Sequence, residues 1–252
     1  HAVPWEILYY PVEGAWLPLA TAAKYPFARY VPLSIAEPAP LDAEQLRILI
    51  VVASPANLED YELTSLNIES EVEGMLDTLD AIELAKPPQV TLMLGNSEMS
   101  GHLRTDWEFA GYEILPEPAS LDNISQALGQ GEGYHILHFL SHGMFSDDRK
   151  RAVLYLENEA GNIGPTGDKE LAQKLASLEH PPSLVFLAAC ESARRDAENP
   201  NPFVGLAARL VQVGTPAVVA MQDTISIGTA RTFTQSFYAH LFEHGIVDKA
   251  VN

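Results

Sequence analysis

Two short apolar runs constrain the fold more than anything else in this chain. Tyr134 to Leu140 ends in Ser141-His142-Gly143, and Leu184 to Ala189 ends at Cys190. Continuous apolar runs of this length suit strands buried on both faces of a parallel sheet. In such a sheet ligands bind outside the carboxyl ends of the strands, so an imidazole and a thiol standing there are positioned for chemistry. Neighbouring strands lie about 4.8 Å apart. If these two are neighbours, His142 and Cys190 come within or near hydrogen-bond reach, the arrangement of an imidazole-activated thiolate. The intervening stretch, roughly 40 residues, accommodates a right-handed crossover with a helix.

A free Cys in an apolar run is ordinarily an inert buried side chain. Three details set Cys190 apart. The run gives way to Glu191-Ser192-Ala193-Arg194-Arg195 at the sulfur, which places Cys190 at a boundary. Gly143 after His142 offers a backbone able to turn sharply and present its N–H to a substrate oxygen. Both reactive residues are expected to end their strands at the same sheet edge.

The rest of the chain extends the pattern. Aromatic and Pro-rich residues from Val3 to Tyr30 predict a small hairpin or edge element packed on the main sheet, joined to the remainder through the Glu37 to Pro40 connector. Leu46 to Ala53, Gln89 to Leu94, Tyr112 to Leu115 and Ala217 to Met221 read as further strands. Between Asn57 and Glu83 nine acidic residues and no Lys or Arg accompany Leu66, Val72, Met75, Leu76, Leu79 and Ile82 near helical spacing, which predicts an amphipathic helix with an acidic outer face. A helix from Ser120 to Leu128 is broken by Gly129, Gly131 and Gly133. Ala152 to Leu156 and the turn at Gly161 to Gly164 predict a hairpin forming a wall of the cleft, followed by a helix through Leu171 and Leu175. Helices over Phe203 to Val213 and from Ser226 to Gly245 complete a wound, mostly parallel α/β sheet flanked by helices, with a small N-terminal β element over 1–40 and the main domain over 41–252.

Composition narrows the function. The formal charge of −19 lacks the clustered Lys and Arg that phosphate contacts need, so nucleic-acid binding is not expected. A single Cys excludes an intrachain disulfide framework and a multi-thiolate zinc site. His135 and His138 fall on opposite faces of the His142 strand, without carboxylates at ligand spacing, so no metal or other cofactor is expected. No apolar stretch reaches about 18 residues, which argues against a membrane span, and a cytoplasmic protein is the expectation. His1 at the start, and Ala250-Val251-Asn252 closing what reads as an unfinished helix, suggest an effector domain of a longer polypeptide.

The ordered blocks HILHFLSHG, SLVFLAACES, FVGLAARLVQVGTPAVVAMQ and FTQSFYAHLFEHG resemble the CHAT family of caspase-like cysteine peptidases, and the likeness extends upstream through LRILIVVASP to HAVPWEILYY. The resemblance implies a His142–Cys190 dyad, with backbone N–H groups of Gly143 and Cys190 as oxyanion donors. It also implies a protein substrate and control by a regulatory or sensor domain or subunit, as in bacterial signalling and defence systems. Asp223, at the end of the Ala217 to Met221 run, is the leading candidate to pair with a basic substrate side chain, with Asp147 and Asp148 behind it. Ser226 departs from the wider pattern, where a second acid is expected. Two other readings compete: a catalytically inactive caspase-like interaction module, and a small-molecule thiol hydrolase.

Overall fold

The computed structural model describes residues 9–12, 15–18, 40–42, 46–63, 67–82, 86–95, 101–146, 151–189, 202–220 and 227–251. In chain order the strands are β1 (Tyr9–Val12), β2 (Ala15–Pro18), β3 (Arg47–Val52), β4 (Gln89–Leu94), β5 (Glu113–Leu115), β6 (Ile136–Ser146), β7 (Arg151–Glu157), β8 (Ile163–Gly167), β9 (Leu184–Ala189) and β10 (Ala217–Ala220). The helices are α1 (Ile68–Asp80), α2 (Gly101–Phe109), α3 (Leu121–Leu128), α4 (Asp168–Ala176), α5 (Pro202–Gln212), α6 (Ile227–His244) and α7 (Val247–Ala250), with a short 3-10 turn at Leu58–Tyr61.

Six strands form a parallel row in the order β10-β9-β6-β3-β4-β5. Strand order reverses at the β3–β6 boundary: the chain winds outward from β3 through β4 to β5, then returns to β6 on the other flank. The crevice at such a switch point is where wound sheets bind ligands. Antiparallel β7 and β8 attach to the distal half of β6, and among the described residues β1 and β2 pair with each other alone.

Alternation along the strands produces two cores. Ile48, Ile50 and Val52 of β3 face Val72, Met75, Leu76 and Leu79 of α1 and Phe237, Tyr238 and Leu241 of α6. Leu49 and Val51 face the opposite way, toward Ile124 of α3, Leu171 and Leu175 of α4, and Leu206 and Leu210 of α5. Strands buried on both faces must be apolar at successive positions, which is why these runs lack a polar alternate.

Local capping fixes where the helices start. The Asn67 side chain accepts the Ser70 N–H at 3.2 Å to open α1, and Ser120 accepts the Asn123 N–H at 3.2 Å to open α3. Gly129 then caps α3, and Gly131 and Gly133 take positive φ values of 57° and 68° in the turn before β6, as the expected helix break requires. Leu66, one of the expected α1 face positions, lies outside the described residues. Helix α2 was not apparent from sequence: its apolar residues are too few to mark a period, and of its described side chains only Trp107 is buried. Among the described residues no helix is long and apolar enough to cross a membrane.

Candidate active site

β6 holds the centre of the sheet because it is apolar on both faces and paired on both edges. Ile136 to Leu140 lie beside Ile48 to Val52 of β3, and Ile136 to Ser141 lie beside Leu184 to Ala189 of β9. The expected adjacency of the His-bearing and Cys-bearing strands is therefore present, in register up to the Ser141–Ala189 pair. His142 and Cys190 are the residues that follow each member of that pair.

One expectation needs correction. β6 does not end at His142 but runs on to Ser146, exchanging its parallel partners for antiparallel β7 at this residue, with His142 opposite Tyr155 and Gly143 opposite Leu154. Gly143 therefore continues a strand where a sharp turn was expected. The physical reason is the hairpin: β7 and β8 supply a new ladder partner just where β3 and β9 stop. His142 marks the switch from parallel to antiparallel pairing, and it is buried at 1% exposure. Cys190 and the acidic candidates Asp147, Asp148 and Asp223 lie outside the described residues.

The other histidines of this strand are structural. His138 is buried in the α6-side core, stacked on Phe186 with ring centroids 4.4 Å apart and sharing a 2.9 Å hydrogen bond with the Tyr238 hydroxyl. Burial lowers its pKa to about 3, so the ring is neutral. His135 accepts the Arg47 backbone N–H on Nδ1 at 3.1 Å, and burial together with the Arg47 charge holds its pKa below the ordinary imidazole value. The Arg47 guanidinium in turn bonds Gly133 O and Glu132, tying β3 to the turn before β6.

Residues that sequence reasoning missed complete the surroundings. Glu157, at the end of β7, is buried and accepts N–H groups from Ser54 at 2.9 Å and Ala119 at 3.0 Å. A Cβ at Gly95 would overlap its Oε1, so the glycine after β4 leaves room for this carboxylate. The two bonds fasten the hairpin that carries His142's ladder partner to the segment just after β3 and to the segment that enters α3. A charged residue closing an apolar strand reads as a solvated end, which is why Glu157 gave no signal although the strand before it, Ala152 to Leu156, did. Across the α1–α6 joint, Arg231 Nη2 donates to Ser70 O at 2.8 Å and Ser70 Oγ at 3.0 Å, and it packs over Gly74, where a Cβ would lie 2.5 Å from its Nε. Desolvation raises the Glu71 pKa there, opposed by the Arg231 charge.

Comparison with curated proteins returns no match. A family model described as the CHAT domain matches residues 1–252, the whole chain. With its wound α/β sheet and the strand that carries His142 beside the strand that precedes Cys190, the chain belongs to the CHAT domain family, a caspase-like family.

Proposed function

We propose that this chain is a cysteine endopeptidase whose nucleophile is Cys190 and whose acid–base is His142. The observation that carries the reading is the β6–β9 register: Ser141 opposes Ala189, so the residues covalently next to them are His142 and Cys190. Neighbouring parallel strands are about 4.8 Å apart, a spacing within which an imidazole and a thiol can exchange a proton.

In the reaction, His142 takes the thiol proton and the Cys190 sulfur adds to the scissile carbonyl carbon. The resulting oxyanion receives backbone N–H donors from Gly143 and Cys190, a role worth about 3 kcal/mol per donor. Collapse breaks the C–N bond as the imidazolium gives its proton to the leaving amine. Water, deprotonated by His142, then hydrolyses the acyl thioester and restores the thiol.

The substrate is a protein, and the activity is under the control of a regulatory or sensor module in a bacterial signalling or defence setting. The burial of His142 supports such control, because a polypeptide reaches the imidazole only after neighbouring groups move. Asp223, then Asp147 and Asp148, are the candidates to pair with a basic side chain before the scissile bond. The test is a peptide-library cleavage screen of wild type against Cys190→Ala, run with the full polypeptide or its partners. Cys190-dependent cutting supports the peptidase. Absence of cutting under every activating condition favours the inactive interaction module.

A further inference from the structure

His142 and Tyr155 are directly opposed across the β6–β7 ladder. Opposed residues project to the same face, with Cβ atoms about 4.5–5.5 Å apart. On β7 that face carries Val153 and Tyr155, which gather with Leu58, Ile163 and Leu63 into a small cluster separate from the two main cores. Ala152, Leu154 and Leu156 face the other way into the α3–α5 core. The Tyr155 ring meets Tyr61 at a centroid distance of 5.8 Å, tilted by 54°. Tyr155 is 5% exposed, whereas Tyr61 is 46% exposed. A buried tyrosine beside the imidazole thus backs an open aromatic ring.

That ring is held in place. Asn57 Oδ1 accepts the Ile163 N–H at 2.7 Å, the Ala56 N–H donates to Gly161 O at 2.9 Å, and the Leu63 N–H donates to Leu58 O at 3.1 Å. These bonds fasten the 3-10 turn bearing Tyr61 to the β7–β8 connection, so the surface is ordered before any ligand arrives.

We propose that Tyr61, backed by Tyr155, is a subsite for an apolar or aromatic side chain on the leaving-group side of the scissile bond. The assignment rests on the peptidase reading and follows from which flank of His142 the rings occupy. β9, which leads to Cys190, lies on one flank of β6, and the acyl half of the substrate stays bonded to that sulfur. β7 comes away on the β3 flank, where its Glu157 meets the Ser54 N–H at the end of β3. The departing amine, protonated by His142, is the half nearest that flank. Both lining groups are phenols, and burial raises the Tyr155 pKa, so the floor is uncharged. Exposed Glu59, Asp60 and Glu62 border it, which disfavours an acidic occupant.

The test uses peptides built on the best-cleaved library sequence and differing only at the residue after the cut: Phe, Leu, Gly or Glu. The ratio of kcat/KM for Phe over Gly falls about fivefold in Tyr61→Ala, the size of one aromatic pair, and returns in Tyr61→Phe. An unchanged ratio overturns the subsite while leaving the peptidase intact. If wild type cuts nothing, the Cys190→Ala protein is titrated by fluorescence anisotropy with alanine–serine peptides carrying one Phe or one Gly. Tighter binding of the Phe peptide that is lost in Tyr61→Ala supports the subsite although the peptidase reading falls; equal binding overturns the subsite as well.

Discussion

His138 and His142 lie four residues apart on one strand, and their surroundings assign them different tasks. His138 is sealed among Phe186 and Tyr238, so charging it means placing a cation in an apolar core. Its pKa in the folded protein, about 3, lies below the unfolded value near 6.5. Above pH 6.5 both states are neutral and the group contributes no pH dependence. As pH falls below 6.5 the unfolded chain takes up the proton first, and stability is lost until pH reaches about 3. Relative to His138→Gln, wild type is expected to lose about 2 kcal/mol between pH 7 and pH 5, measured by urea denaturation. A parallel pH dependence in the two proteins would contradict a neutral buried His138. His142, by contrast, stands where its strand changes partners, and His142→Ala is expected to lower cleavage at least about a hundredfold, the ordinary scale of general acid–base assistance, without altering the fold as read by circular dichroism.

At the scale of elements, the hairpin β7–β8 decides how His142 is presented, and Glu157 decides how the hairpin is fastened. Its two oxygens satisfy buried N–H groups of Ser54 and Ala119, so Glu157→Ala is expected to cost about 3 kcal/mol through two orphaned donors. Gly95→Ala is expected to cost about 2 kcal/mol on its own, because its Cβ collides with the carboxylate. It should cost much less once Glu157→Ala has vacated the space; strictly additive losses in urea denaturation would contradict the clamp. This joint was invisible in the sequence, since Gly95 and Glu157 are distant in the chain and neither belongs to a periodic pattern. The strands were legible for the opposite reason: double burial forces uninterrupted apolar residues, as in Leu49 to Val52 and Leu184 to Leu187. The strand that carries His142 and the one that precedes Cys190 were legible as neighbours because a crossover of fitting length joins them, and β6 and β9 do pair. The run of β6 through His142 was not, because Ser141, His142 and Gly143 lack strand-forming character of their own and take extended structure from β7.

Over the whole molecule, a formal charge of −19 repels itself when the chain is compact. Raising NaCl from about 20 to about 200 mM shortens the Debye length and is expected to raise Tm by a few degrees; an unchanged or lower Tm would show that local pairing already balances the repulsion. The wound sheet places its switch point between β3 and β6, with β9 on the next flank, so one edge of the molecule gathers the end of the strand that precedes Cys190, His142 and the aromatic cluster of β7. The most direct measurement is peptide-library cleavage by wild type, Cys190→Ala and His142→Ala under activating conditions. The account predicts cutting by wild type that falls to background in Cys190→Ala and collapses in His142→Ala. Cutting that survives in Cys190→Ala, or no cutting by wild type in the presence of its partners, would contradict it.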